Sequence, residues 1–176
     1  LFSDLNAWPH NFELIIVDGG STDLTISISK IQGVTVIKNL KGNRGHQLKT
    51  GALNAKGDWL LFLHADSRLE PGWINNLYKI INNKKSEVYA WYFDFKIKRN
   101  NLEFRILEIA VAIRSHFLQR PYGDQGLLIH KDLYQISGGY NSLKIMEDLD
   151  LIERITKISK VKSIRKKIYT DDIKWN

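Results

Sequence analysis

The stretch ELIIVDGGSTD, residues 13–23, decides how the chain is read. Residues 13–17 form a short β-rich apolar run that enters Asp18-Gly19-Gly20-Ser21, so they read as a buried strand ending in a tight loop. Ser21 or Thr22 can cap the helix expected over residues 23–31. Moving outward, the alternation repeats: a strand at 34–38, a turn at Asn43-Arg44-Gly45, a helix over 46–55, and the strand WLLFL at 59–63. This last run has no polar face, as in a parallel sheet covered on both sides. Strand–helix–strand–helix–strand predicts an α/β fold with a parallel, doubly wound sheet and right-handed crossovers.

The second half is less regular. Pro71 suits the first turn of a helix over 71–82. Residues 87–98, EVYAWYFDFKIK, alternate as a longer strand, and an amphipathic helix over 102–118 follows. The loop Arg120-Pro121-Tyr122-Gly123-Asp124-Gln125-Gly126 leads to a short strand at 127–130. A helical turn at 131–136 stops at Gly138-Gly139. The last helix, 146–158, opens with Glu147-Asp148, and short strands are expected at 161–164 and 168–170. This half suggests a mixed sheet with an acceptor-binding face. With no internal repeat and no linker, one domain over residues 1–176 is expected.

Composition narrows the class. Hydrophobic residues make up 43% of the 176, which argues against disorder. There is no cysteine, so disulfides and thiolate metal sites are excluded. No apolar stretch reaches the roughly 18 residues of a spanning helix. The net charge of +7 gathers near the C-terminus, at Lys157, Lys160, Lys162, Arg165, Lys166 and Lys167. Its bland reading is a solvated face; its functional one is attraction to phosphates or an anionic membrane. No nucleic-acid recognition motif accompanies it, so no nucleic-acid partner is expected.

Ligands of open α/β sheets bind beyond the carboxyl ends of the strands. Asp18, Asp66 and Asp124 fall at or beyond such ends, and Glu147-Asp148 opens a helix. Any one of them is explained by capping or by the helix dipole. Together on one rim they read as a site. A carboxylate at Asp66 suits Mg²⁺ or Mn²⁺, which take few protein ligands and complete their shell with phosphate oxygens. His64, two residues earlier, points to the same side if the extended geometry persists, and its imidazole could join a Mn²⁺ site or touch a phosphate. A buried, hydrogen-bonded histidine is the plain alternative. Glu147-Asp148 can supply a general base for a hydroxyl. Arg44, His46 and Lys49 surround a helix N-terminus, where phosphate is attracted. There is no GxGxxG, Walker A or GxSxG motif.

Four blocks, ELIIVDGGSTD, NRGHQLKTGALNAKGDWLLFLHADSRLEPGW, GDQGLLIHKDLYQISGGYN and MEDLDLIERI, resemble in order and spacing the family 2 glycosyltransferases of GT-A fold, over residues 13–155. Within that family the chain is similar to small bacterial enzymes carrying HAD and GDQG blocks, some ascribed to arsenosugar biosynthesis. The resemblance implies a Rossmann-like mixed, mainly parallel sheet flanked by helices. It implies an inverting, metal-assisted transfer of sugar from a nucleoside-diphosphate sugar to an acceptor hydroxyl. Asp18 and Asp23, with Gly20 and Ser21 between them, match the region that holds base and ribose. Arg44 falls near the diphosphate. Asp66 matches the last residue of the DxD motif and would hold a divalent metal, Mn²⁺ or Mg²⁺, with His64 as the second ligand candidate. Asp148 matches the position of the catalytic base, with Glu147 as second candidate. Asp124 and Gln125 match a loop near donor sugar or acceptor. The chain departs from the family where His64 replaces the first Asp of DxD, where Gly19 replaces a second Asp, and where Leu48-Lys49 replace an Arg-Asn pair. A first strand ahead of Leu1 is expected to be missing. The expected setting is cytoplasmic or peripheral at the inner membrane face, with a lipid-linked or soluble acceptor; the oligomeric state is not legible.

Rival readings are a nucleotidyltransferase, which would release pyrophosphate, and a non-catalytic binder of sugar nucleotides or anionic surfaces. A glycosidase with two facing carboxylates is disfavoured by the HAD loop.

Overall fold

The computed structural model describes residues 8, 11–31, 34–40, 43–98 and 101–170. The strand expected ahead of Leu1 lies outside them. Strand β1 (Ile15–Asp18) leads through helix α1 (Thr25–Ile31) to β2 (Thr35–Lys38), which pairs with β1 in parallel. Helix α2 (Arg44–Asn54) returns to β3 (Trp59–Phe62), followed by β4 (Arg68–Leu69), α3 (Trp73–Ile81), β5 (Ala90–Ile97) and α4 (Leu102–His116). A 3₁₀ turn at Gly123–Gln125 precedes β6 (Leu127–His130), α5 (Lys131–Ile136), α6 (Glu147–Thr156) and β7 (Val161–Thr170).

The larger sheet has the order β3-β6-β5-β7-β4. It is mixed, with β5 and β7 parallel and the other three ladders antiparallel. The parallel pairing among the described strands is confined to β1–β2 and β5–β7. The WLLFL strand was expected in a parallel ladder, yet it pairs antiparallel to β6, with Trp59 opposite His130 and Phe62 opposite Leu127. An all-apolar run records burial on both faces; it does not encode the direction of its neighbour.

Side-chain alternation divides the core. In β6, Leu127 and Ile129 join Leu151, Ile152 and Ile155 of α6 on one face, while Leu128 joins Trp73, Ile74, Leu77 and Ile80 of α3 on the other. Each such side chain contributes roughly 1.5–3 kcal/mol on burial. Gly72, at φ 76°, turns the chain into α3, a left-handed conformation that glycine adopts without steric cost.

Three departures from expectation have a local physical reason. Helix α2 begins at Arg44, because the Asn43 side chain accepts the His46 N–H and caps it. Strand β4 is too short to leave a sequence pattern. The two late strands are one, β7, interrupted by a bulge where Tyr92 pairs with Ser163 and Asp94 already pairs with Lys167. Arg165, at φ 59°, carries the kink, and Asn76 Nδ2 donates to the Ile164 carbonyl at 2.9 Å to hold it. No helix of the described residues is long and apolar enough to cross a membrane.

Candidate active site

Helix α2 packs on β1 and touches α6. That contact needs a residue without a side chain: a Cβ at Gly45 would collide with the Asn141 carbonyl and stand 3.1 Å from Glu147 Cβ. The close approach brings Arg44, at the start of α2, onto the acid pair at the start of α6. Arg44 Nη1 lies 3.0 Å from Glu147 Oε1, and Arg44 Nη2 lies 2.7 Å from Asp148 Oδ2. The same Nη2 is in hydrogen-bonding contact with His64 Nε2. Glu147 is only 2% exposed. Met146, at φ 60°, precedes the pair in a left-handed conformation that is costly for a residue with a Cβ.

The Asp148 carboxyl is held above its ordinary value. Burial pushes it up from 3.8 to about 6; the Arg44 guanidinium opposes the rise, and the charges of Glu147 and Asp124 reinforce it. Its Oδ1 is buried and accepts no hydrogen bond among the described residues. A small pocket opens beside it, walled by Arg44, His64, Phe62, Leu63, Gly123 and Tyr140. The backbone of Gly123 lies so close that a Cβ there would collide with both Arg44 and Asp148. Tyr140, which carried no signal in the sequence, is 2% exposed and packs on Phe62 with ring centroids 5.0 Å apart. Burial holds its phenol well above the ordinary value, with Asp148 adding to the rise.

The other predicted residues separate into groups. Asp18 is buried at the end of β1 and folds back on its own loop, accepting from Gly20 N at 3.0 Å and from Ser21 N at 3.1 Å. Hydrogen bonding from Ser21 foremost holds its carboxyl below the ordinary value. Exposed Asp23 accepts from Thr25 N at 3.0 Å at the start of α1, and hydrogen bonding from Thr25 lowers it likewise. Asp66 is exposed on the turn after β3, where Ser67 N donates to the His64 carbonyl. Asp124 is half-buried in the 3₁₀ turn, close enough for its charge to raise Asp148.

Gln125 differs from the ligand-facing role expected of it. It is 1% exposed. Its Oε1 accepts from Ser115 Oγ at 2.8 Å, Arg114 Nη2 at 3.3 Å and Tyr122 N at 3.3 Å, and its Nε2 donates to the Phe93 carbonyl at 3.2 Å. The side chain is committed to fastening the Gly123–Gln125 turn to α4 and β5.

Among the described residues no three His, Asp or Glu side chains converge as a metal site. The donor chemistry fits a hard cation only in part. Asp66 offers an exposed carboxylate, the ligand type that Mg²⁺ and Mn²⁺ favour. His64 Nε2 faces the Arg44 guanidinium, and that nitrogen would have to leave the contact to bind a metal.

A family model described as glycosyl transferase family 2 matches residues 2–147. An uncharacterized glycosyltransferase of Haemophilus influenzae is 28% identical over 155 residues, 82% of this chain and 52% of that protein. This chain thus spans about half the length of that curated relative. Among solved structures, S. aureus TarS 1–349 superposes with a TM-score of 0.71 at 16% identity, over 98% of this chain and 56% of that one. TarS in complex with UDP-GlcNAc gives 0.69 at 16% identity, over 97% and 53%. The mannosyltransferase PcManGT from Pyrobaculum calidifontis, in complex with GDP-Man and Mn²⁺, gives 0.63 at 16% identity, over 88% and 47%. These likenesses show a GT-A fold.

Proposed function

The chain belongs to glycosyl transferase family 2, and we propose that it transfers a sugar from a nucleoside-diphosphate sugar to an acceptor hydroxyl with inversion, using Asp148 as general base. The observation that carries this reading is the buried Asp148 carboxyl, raised to about 6, at the wall of the pocket. A base poised near neutral pH combines the ionised form with enough basicity to take a hydroxyl proton. Asp148 Oδ1 would accept that proton while Arg44 holds Oδ2. The acceptor oxygen would then attack the anomeric carbon from the face opposite the leaving diphosphate, which inverts the centre without a covalent enzyme intermediate. Glu147, buried beneath Arg44, sets the guanidinium between the two acids.

The donor side of this reading rests on the β1 loop. Gly20, Ser21 and Asp23 are exposed at the end of β1, where α/β folds bind nucleotides. Asp66 would hold a divalent cation together with the donor diphosphate. When bound, the cation supplies neutralisation of the leaving group's charge. The solved structures of like fold, TarS with UDP-GlcNAc and PcManGT with GDP-Man and Mn²⁺, support a donor of this class.

The test is thermal stability with UDP, GDP, CDP and dTDP, each with and without Mn²⁺, followed by product analysis. A ligand bound only by the native state raises the melting temperature by mass action. A shift with one diphosphate, and release of that diphosphate on turnover, is expected. Pyrophosphate as product would instead establish nucleotidyl transfer. Binding without turnover would leave a sugar-nucleotide binder.

A further inference from the structure

We infer that the outer face of α4 docks on an anionic lipid bilayer. The helix has two apolar faces. Inward, Phe104, Leu107 and Val111 pack against Phe95 and Ile97 of β5. Outward, Leu102, Ile106, Ile109, Ile113 and Phe117 recur at steps of four, three, four and four, which places them in one line along the helix. They are between 51% and 77% exposed. Single exposed leucines are ordinary, but a continuous apolar stripe marks a contact surface.

Charge and length identify the occupant. Residues 96–120 contain six lysines and arginines against two glutamates. Glu108 is turned inward, accepting from Lys96 Nζ at 2.8 Å and from Ile97 N at 2.9 Å, and pairing with Arg105. Exposed Lys98 lies ahead of the helix and exposed Arg120 at its far end, where Arg120 also pairs with Glu153 at 3.0 Å, while exposed Glu103 stands in the first turn. A second copy would meet the stripe with the same positive excess, whereas anionic headgroups meet it with the opposite sign. Fifteen helical residues span about 22 Å, short of a bilayer core of about 30 Å, so the helix would lie on the surface and not cross it.

The placement also reaches the candidate site. Ser115, on the inward side of α4, donates to Gln125, and the Gly123 end of that turn abuts Asp148. Docking would therefore set the pocket wall a short distance from the lipid surface. The inference does not depend on the proposed sugar transfer.

The test is cosedimentation of the protein with neutral phosphatidylcholine vesicles and with vesicles carrying about 30% phosphatidylglycerol, at low and high salt. The wild type is expected to partition onto the anionic vesicles, less so at high salt. The double variant Ile109→Glu/Ile113→Glu is expected to partition at least about tenfold more weakly. Leu53→Glu, at an exposed apolar position on α2, should partition like the wild type. Melting temperatures confirm that both variants are folded. Three results would overturn the inference: no partition of the wild type, equal partition of the double variant, or a wild-type dimer that binds no vesicles and that the double variant dissociates.

Discussion

Arg44 sets its two terminal nitrogens on neighbouring carboxylates, Nη1 on Glu147 at 3.0 Å and Nη2 on Asp148 at 2.7 Å. One cation, its side chain 41% exposed, is thus shared by two largely buried acids. Among the described residues Asp148 Oδ1 and Glu147 Oε1 are buried and accept no hydrogen bond, Glu147 Oε1 meeting Arg44 as an ion pair. A buried polar atom without a hydrogen-bond partner is costly to stability, and sites of chemistry commonly carry that cost.

The first consequence concerns stability against pH. The folded-state value of Asp148, about 6, lies above the ordinary 3.8. Between those values the native state binds more protons than the unfolded one, so this group's contribution falls as pH rises and levels off above about 6. Asp148→Asn should therefore be more stable than the wild type at pH 8, by on the order of 2 kcal/mol. The advantage should vanish near pH 4. Thermal melts of both proteins across that range check it.

Arg44 opposes the rise of Asp148, so its removal should move the acidic limb of the pH–rate profile. The account expects transfer to fall as pH drops through about 6 in the wild type. In Arg44→Gln the limb should shift to higher pH, because the charge that favoured the ionised carboxylate is gone. A profile of kcat/KM for both proteins reads this directly.

Gly123 tests the packing of the turn against the acid. A methyl group there would collide with Arg44 and Asp148. Gly123→Ala should cost about 1–3 kcal/mol of stability, as overpacking typically does, and should weaken transfer more than donor binding. Urea unfolding and donor titration separate the two effects.

Asp66→Ala should abolish the Mn²⁺-dependent part of nucleoside-diphosphate binding and leave the protein folded, since the side chain is exposed. Calorimetric titration of the diphosphate with and without Mn²⁺ measures it.

The sequence conveyed local features well and distant ones poorly. The VDGGSTD turn, the apolar β3 run, the helix start after Pro71 and the acids at the head of α6 each follow from spacing within a few residues. The partnership of Arg44 with Asp148 joins positions 104 residues apart, so from local spacing Arg44 read as a phosphate site. The resemblance of its GDQG loop gives Gln125 a ligand role, whereas its partners Ser115 and Phe93 are ones that no local pattern places beside it. The basic C-terminal run read as a candidate anion-attracting face. In the fold Lys162 lies over the Tyr89 ring at 3.2 Å, and Lys166 donates to the Pro71 carbonyl at 2.9 Å. Those two charges are held by intramolecular contacts. The two-faced character of α4 was masked in sequence because apolar residues at both faces read as one amphipathic pattern.

The most direct test of the central claim is release of nucleoside diphosphate by Asp148→Asn at pH 8, with the matched sugar donor and a membrane extract as acceptor source. The account predicts a loss of roughly 10²–10⁴-fold in transfer, the usual contribution of a general base, with donor affinity within about twofold of the wild type. Transfer at the wild-type rate in that variant would contradict it.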